Sequence, residues 1–360
     1  MKRFLECSIP TTLCNLKCEY CYVRQENRSK NQKACFKFSP EHIGKALSVK
    51  RLGGVSFISM TAPGETLLPG EITGITHEIL KQGHYVNITT NGTISHRFDE
   101  ILNFDKTLLS HLNFSFSFHY LELLRTNRLS EFFGNIRKIR EAGCSFVLQI
   151  NLYDGYVPYW EEIKQISLRE VGALPQVALT RDESCEKYKI LTKMPPGDYM
   201  RIGKEMDSPL FDFTCGNFMV KRKEFCYAGA WSAKLDMATG LMPGCYGNGV
   251  RQNIFENPDN PIKFEPIGSN CCFQFCFNSS HFMSLGVIPE IPTPSYGALR
   301  NRKEAGWYSE KMDEFLSEKL SNDNPLYGGI ARKYVDFKYK IGKIIRFPLD
   351  LLPLIIRKIK

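Results

Sequence analysis

Hydrophobic and polar positions in the first 205 residues follow two alternating periods, which predicts strands and helices in turn. The strand-like segments are 4–10, 55–60, 84–92, 111–120, 145–153 and 175–181, and the helix-like segments are 40–51, 71–83, 128–143 and 159–172. In 111–120, Phe114, Phe116 and Phe118 fall on one face and polar residues on the other. An alternation of this length predicts an α/β fold with a parallel sheet or a (β/α) barrel.

Polar residues stand where several of these strands end, which in a barrel is the edge that carries the active site. They are Gly64 with Glu65, Asn91 with Gly92, Ser117 with His119, Asn151, and Arg181. The polar face of 111–120 is costly to bury unless something polar fills the interior, so we interpret it as site lining. The alternatives are a solvated loop carboxylate for Glu65 and a simple turn for Asn91 and Gly92.

After about residue 205 the pattern breaks into Gly-, Pro- and Cys-rich segments, which predicts a small second domain held by metal. We therefore expect a barrel core over 1–205, a Cys-rich domain over 206–285, and a third region over 286–360. Within that third region we expect a Pro-rich linker at 286–299 and a surface helix at 308–320.

The 13 cysteines are unevenly placed. The chain has no apolar run of about 18 residues and no signal-peptide pattern, so we expect a cytoplasmic protein whose thiols stay reduced. Metal or redox chemistry is then favoured over disulfides. One cluster is Cys14, Cys18 and Cys21, and a second is Cys215, Cys226, Cys245, Cys271, Cys272 and Cys276. For the scattered Cys7, Cys35, Cys144 and Cys185 we expect buried, inert thiols.

The first cluster has the spacing C-x3-C-x2-C and follows the first predicted strand directly. Three thiolates suit three corners of an iron–sulfur cubane and leave the fourth iron open to bind a substrate or cofactor. Zinc is the alternative, although zinc sites favour paired C-x2-C knuckles.

This motif resembles that of the radical S-adenosylmethionine (SAM) enzymes, with Tyr20 in the aromatic position before the last cysteine. The resemblance continues through 62–66, which keeps the Gly64 and Glu65 of the family's G-G-E-P segment, through the T-N-G turn at 90–92, and through Ser117 and His119. It implies a partial (β/α)6 TIM-like barrel with a [4Fe–4S] cluster on Cys14, Cys18 and Cys21. It also implies a SAM site formed by Tyr20, Gly64, Glu65, Asn91, Ser117 and His119.

The second cluster resembles the start of the SPASM and twitch domains that follow such barrels, because Cys226, Gly240 and Cys245 give the spacing C-x13-G-x4-C. Six cysteines are too few for two fully thiolate-ligated clusters, so the resemblance implies one auxiliary [4Fe–4S] cluster. We choose Cys226, Cys245, Cys272 and Cys276 as its ligands; Cys215 and Cys271 remain open.

The family's chemistry implies reductive cleavage of SAM to a 5′-deoxyadenosyl radical, which takes a hydrogen atom from the substrate. We expect oxidation or epimerisation of a small sugar, alcohol or lipid-linked molecule, with an electron donor such as flavodoxin or ferredoxin. A peptide or protein maturase is the alternative. A third reading is a non-catalytic electron carrier, which needs none of the residues that contact SAM.

The net charge of +9 belongs to the end of the chain. Residues 330–360 hold nine Lys or Arg against two Asp, a balance of +7, so the rest of the chain is nearly neutral. No nucleic-acid partner is therefore expected. Residues 338–360 mix bulky aliphatics with cations, which predicts either peripheral contact with an anionic membrane or a terminal helix packed on the barrel.

Overall fold

The computed structural model describes residues 1–26, 30–184, 188–246 and 251–341. Cys185 and residues 342–360 of the predicted membrane segment lie outside these ranges. Six strands follow the predicted order: β1 (Phe4–Ser8), β2 (Phe57–Thr61), β3 (Tyr85–Thr90), β4 (Leu112–Ser117), β5 (Ser145–Leu152) and β6 (Gln176–Leu179). The remaining strands are β7 (Arg181–Asp182), β8 (Lys189–Ile190), β9 (Ser232–Asp236), β10 (Leu241–Pro243) and β11 (Arg251–Asn253).

The helices alternate with the strands in the first half of the chain. They are α1 (Tyr22–Gln25), α2 (Pro40–Ala46), α3 (Val49–Leu52), α4 (Glu71–Lys81), α5 (Ser95–Ile101), α6 (Lys106–Leu109), α7 (Tyr120–Arg125), α8 (Leu129–Glu141), α9 (Trp160–Val171), α10 (Pro196–Lys204), α11 (Pro209–Asn217), α12 (Ser279–Phe282), α13 (Glu310–Ser317), α14 (Leu320–Asp323) and α15 (329–341). Asp154–Tyr159 and Lys303–Ala305 are 3-10 helices. The α/β prediction and its partial TIM-like barrel are confirmed.

A seven-stranded parallel sheet forms the centre of the molecule, with the strand order β6-β5-β4-β3-β2-β1-β9. Six of these strands are those of the predicted barrel. The seventh, β9, comes from the predicted Cys-rich region and pairs with β1 from Phe4 opposite Ser232 to Ser8 opposite Asp236. That region is therefore joined to the barrel through a strand; the domain limits themselves stay a prediction.

The two faces of β4 divide as the alternation predicts. Phe114, Phe116 and Phe118 are buried, and Phe116 and Phe118 pack on Phe132 of α8. On the other face, the Asn113 side-chain amide donates to Oδ1 of Asn87 at 2.6 Å. The hydroxyl of Ser115 donates to the same oxygen at 2.9 Å. The sheet is thus apolar towards the helices and polar on the side that the site occupies.

The segment 286–299 differs from the linker that its prolines predicted. Tyr296 and Leu299 are fully buried, and the Tyr296 ring lies 5.2 Å from that of Phe57 on β2. Burial of its aromatic and aliphatic side chains packs the segment against the barrel despite its prolines. Among the described residues, no helix has the length and apolarity needed to cross a bilayer.

Candidate functional site

The first cysteine cluster occupies the loop between β1 and α1. Cys18 is buried, Cys21 is half-buried and Cys14 is exposed. Although the residue as a whole is exposed, desolvation of its sulfur raises the pKa of Cys14 to about 11, and the charges of Glu65 and Cys21 add to the rise. Burial also raises the pKa of Cys18, with further contributions from the charges of Cys14 and Cys21. Cys14 and Cys18 are therefore close enough to the other thiols of the loop for those charges to oppose their ionisation, an effect that a bound cationic centre would reverse.

Gly64 lets the chain after β2 lie directly against this cysteine loop. Its N–H donates to the carbonyl of Thr11 at 2.8 Å, and the N–H of Glu65 donates to the carbonyl of Leu13 at 2.9 Å. A Cβ at position 64 would lie 2.1 Å from the Leu13 oxygen. The sequence analysis expected Gly64 to contact the cofactor; the structure adds that no side chain fits there.

Glu65 is buried and joins the ends of β2 and β3. Its carboxylate accepts hydrogen bonds from the N–H of Leu67 at 3.0 Å, the hydroxyl of Thr90 at 2.7 Å and the N–H of Asn91 at 2.7 Å. Burial raises the pKa of Glu65, and these three donors work in the opposite direction. Both oxygens thus already have protein partners, which makes Glu65 a brace for the turn that carries Asn91.

Asn91 reaches back from the end of β3 to the cysteine loop. Its side-chain amide donates to Oδ1 of Asn15 at 2.8 Å and lies 3.8 Å from Sγ of Cys14. Its own oxygen accepts from the hydroxyl of Thr93 at 2.7 Å. Sequence reasoning missed Asn15 and Thr93, although Asn15 directly follows the first cysteine of the motif.

Tyr20 and His119 meet at the end of β4. The Tyr20 hydroxyl lies 2.6 Å from Nδ1 of His119 and 2.9 Å from the hydroxyl of Tyr156. Burial lowers the pKa of His119 to about 4, so its ring is neutral at physiological pH. Ser117 is half-buried at the end of the same strand. Two of the predicted residues are thus in direct contact, and Tyr156 joins them from the segment after β5.

Four thiols of the second cluster line one small apolar cavity of about 40 Å³: Cys226, Cys245, Cys271 and Cys276. Burial raises the pKa of Cys245 to about 12, with a further rise from the charge of Cys271. Burial also raises the pKa of Cys276 strongly, and the other three thiols add to that rise. These four cysteines form one electrostatically coupled group.

Cys272, which the sequence analysis chose as a ligand, is exposed and is not among the residues that line this cavity. Cys271 lines the cavity where Cys272 was expected, because adjacent residues in a non-helical segment point in different directions. Cys215 is half-buried on α11 and also lies off the lining. Of the scattered thiols, Cys7 and Cys144 are buried as expected, whereas Cys35 is exposed.

Within the described ranges, no three His, Cys, Asp or Glu side chains are spaced to hold a single metal ion. A larger cavity of about 280 Å³ is lined by Tyr20 from the loop of the first cysteine cluster and by Cys276 of the second. Asn151 and Arg181 at the strand ends, and Asn278 from the Cys-rich region, supply polar groups. The cavity therefore borders a residue from each cysteine segment and has polar groups in its wall.

Arg181 is held in that wall by two contacts. Its guanidinium pairs with Glu183 at 2.8 Å and donates to the carbonyl of Phe277 at 3.1 Å. The second contact ties the end of the barrel sheet to the Cys-rich region.

His281 also lines the cavity, and Arg300 fixes its tautomer. Nη2 of the buried Arg300 lies 3.4 Å from Nδ1 of His281 and donates to the carbonyl of Ser280 at 2.9 Å. Because a guanidinium only donates, Nδ1 must accept, and the neutral ring carries its proton on Nε2. Burial lowers the pKa of His281 well below its usual value, and the charge of Arg300 lowers it further.

Comparison with known proteins places this fold in a family. Residues 8–166 match the family model of the radical SAM superfamily. No curated protein sequence matches the chain. Among solved structures, SuiB of Streptococcus suis bound to S-adenosylmethionine aligns with 15% identity and a TM-score of 0.51. That alignment covers 71% of this chain but only 64% of SuiB.

A second structure, native anSMEcpe with bound AdoMet and the Cp18Cys peptide, aligns with 16% identity and a TM-score of 0.50. The alignment covers 98% of this chain and 100% of that one. At these identities the two structures show a shared fold. The family model covers the barrel from the end of β1 through β5 and includes the first cysteine cluster. Residues 8–166 therefore form a domain of the radical SAM superfamily, a family that uses a [4Fe–4S] cluster and SAM.

Proposed function

We propose that this radical SAM enzyme oxidises or epimerises a small polar molecule, such as a sugar, an alcohol or a lipid-linked compound. The observation that supports this is the cavity of about 280 Å³ that touches Tyr20 at one cysteine cluster and Cys276 at the other. A substrate in it would lie within reach of both. A non-catalytic electron carrier has no use for such a space.

The residues of the first cluster fit the iron–sulfur centre of the family. A bound cationic centre would offset the charges that raise the pKa of Cys14 and Cys18, and the amide of Asn91 lies 3.8 Å from Sγ of Cys14. We assign Cys14, Cys18 and Cys21 as ligands. Tyr20, Asn91, Ser117 and His119 would contact SAM, with Gly64 through its backbone. Glu65 would act by holding Asn91, since its carboxylate is already engaged.

The second cysteine group fits an auxiliary cluster. Four half-buried thiols line one apolar pocket and oppose one another's ionisation, an effect that a bound metal centre would offset. We assign its ligands as Cys226, Cys245, Cys271 and Cys276, with Cys271 replacing Cys272. When bound, the first cluster with SAM supplies a hydrogen-abstracting radical, and an auxiliary cluster supplies a nearby one-electron acceptor.

The cavity wall indicates the class of substrate. Its volume is at the lower end of the range for ligand pockets, roughly 300–1,000 Å³, so a small molecule or one side chain fits. Asn151, Asn278 and Arg181 offer donors and acceptors suited to hydroxyl groups. His281 adds the proton that Arg300 keeps on Nε2, which would donate to a substrate oxygen.

A peptide maturase is the second candidate. anSMEcpe, which shares this fold, was solved with the Cp18Cys peptide. One side chain of a peptide would fill the same cavity. The polar groups of Asn151, Asn278 and Arg181 in the cavity wall, which suit hydroxyl groups, are the reason we place the small-molecule substrate first.

The proposal includes an electron donor such as flavodoxin or ferredoxin and a cytoplasmic location. It also includes peripheral membrane contact through residues 338–360. The donor would have to reach the loop that carries Cys14, which is the exposed thiol of the first cluster.

Anaerobic incubation of the reconstituted full chain with SAM and dithionite tests the function. We expect 5′-deoxyadenosine from the wild type and none from Cys18→Ala, because the first cluster would lose a ligand. Cys144→Ala, which removes a buried thiol outside both clusters, is the matched control and should retain activity. Stimulation by polyols or sugars would support the small-molecule substrate, and stimulation by peptides would support the maturase. A fully iron-loaded wild type that forms no 5′-deoxyadenosine would be a carrier.

A further inference from the structure

An apolar stripe runs along the outer face of α15 (329–341). Ile330, Tyr334, Phe337 and Ile341 are 89%, 65%, 62% and 39% exposed. At about 100° per residue, their spacings of four, seven and eleven residues place all four within about 60° of one another around the helix. Four large apolar side chains in one line differ from the scattered ones found on any surface.

The opposite face of α15 packs against the rest of the protein, so the apolar stripe faces outward. Asp336 accepts hydrogen bonds from the N–H of Ser269 at 2.8 Å and from the side chain of Asn270 at 2.9 Å. Val335 packs against the core, and Arg332 pairs with Glu290. The helix thus rests on the segment that leads into Cys271.

Cations lie beside the stripe. Lys333 and Lys340 fall along one edge, and Lys338 on the other edge pairs with Glu265 at 2.8 Å. In the part of the chain that the structure describes, no ion pair is found for Lys333 or Lys340. The sequence then continues from 342 to 360 with five Lys or Arg, one Asp and many Ile and Leu. The stripe is therefore the first part of a longer cationic, apolar sequence.

We propose that the exposed face of α15 docks on an anionic lipid bilayer, with Tyr334 and Phe337 at the headgroup boundary and Lys333 and Lys340 against the lipid charges. An apolar face edged by lysines is the pattern of an interfacial helix. A second copy of the chain, or residues 342–360 folded back, would bring more positive charge against these lysines. An anionic surface instead complements the charge. This inference extends the proposed membrane contact to the described helix and is independent of the radical chemistry.

Vesicle flotation of the full chain tests it, with mixed phosphatidylglycerol–phosphatidylcholine vesicles and with pure phosphatidylcholine vesicles. We expect the wild type to float with the mixed vesicles only. Tyr334→Ser with Phe337→Ser should lower the partition coefficient at least about tenfold, equal to about 1.4 kcal/mol. Leu124→Ser with Leu168→Ser, at two other exposed apolar positions, is the matched control and should float like the wild type.

Charge and tail variants complete the test. Lys333→Ala with Lys340→Ala should lower partitioning onto the mixed vesicles by about tenfold or more. The circular dichroism spectrum and the rate of 5′-deoxyadenosine formation should be unchanged in every variant. A loss of vesicle binding can therefore be told apart from a failure of the enzymatic proposal. The inference is overturned if the wild type does not float, or if the stripe variant floats undiminished while a chain ending at 341 does not. It is also overturned if the stripe variant converts a dimer in solution to a monomer.

Discussion

One methyl group at Gly64 should separate the cysteine loop from the barrel. In Gly64→Ala the new Cβ would stand 2.1 Å from the carbonyl oxygen of Leu13 and 2.8 Å from the carbonyl carbon of Thr12. Real Cβ contacts essentially never fall below 3.0 Å, so the loop must move by at least 3.0 − 2.1 = 0.9 Å. Both obstacles are backbone atoms, and no side-chain rotation relieves the clash.

That displacement carries an energetic consequence that the structure allows us to estimate. The hydrogen bonds from Gly64 N to Thr11 O at 2.8 Å and from Glu65 N to Leu13 O at 2.9 Å would both stretch past bonding distance. Each lost bond that leaves a buried amide unpaired costs about 1–3 kcal/mol. We therefore expect Gly64→Ala to lower the free energy of unfolding by about 2–6 kcal/mol. 5′-deoxyadenosine formation should fall at least about tenfold, because Leu13 directly precedes Cys14.

Gly197→Ala is the matched control, since it adds the same methyl group in α10 where a Cβ would meet nothing within 4 Å. A glycine replaced by alanine inside a helix gains about 0.5–1 kcal/mol. Urea unfolding of the cluster-free proteins, compared at equal m-values, measures both changes. The reasoning is refuted if Gly64→Ala unfolds within about 0.5 kcal/mol of the wild type and still cleaves SAM at full rate.

Two further predictions address the cysteine assignment and the cavity. Cys271→Ala should lower the iron content of the reconstituted protein from about eight toward about four per chain, while Cys272→Ala should keep about eight; the reverse result would restore the assignment made from sequence. Histidine NMR should show His281 neutral well below the usual histidine pKa of about 6.5, and Arg300→Met should raise the pKa of His281. Because the folded-state pKa of His281 lies below the unfolded value, its contribution to stability is present above about pH 6.5 and lost as the pH falls. A wild-type His281 that titrates near pH 6.5 would contradict this.

Sequence reasoning served well wherever a feature is local. The alternation in 111–120 identified β4 and both of its faces, because side chains in a strand point to opposite sides at every step. The spacing of Cys14, Cys18 and Cys21 predicted a cluster site in the loop after β1 without any knowledge of tertiary contacts. Tyr20 and His119 were both selected as site residues, although nothing in the sequence indicated that they touch.

Long-range contacts set the limits of that reasoning. The pairing of β9 with β1 joins residues more than 200 positions apart, and neither strand's pattern names its partner. Glu65 was selected for cofactor contact, but the turn after β3 supplies two of the three donors that its carboxylate accepts. The choice between Cys271 and Cys272 depends on which way one short segment turns, which no spacing rule encodes.

By itself, the sequence determined the strands and helices of the barrel, the position of the first cysteine cluster and the family, since all of these rest on neighbours along the chain. The tertiary structure alone decided which thiols share a pocket, that Tyr20 and Cys276 line one cavity, and that α15 presents an apolar stripe outward. The physical reason is that periodicity fixes which way a side chain faces within its own element. What that side chain meets depends on the packing of elements that are far apart in the chain.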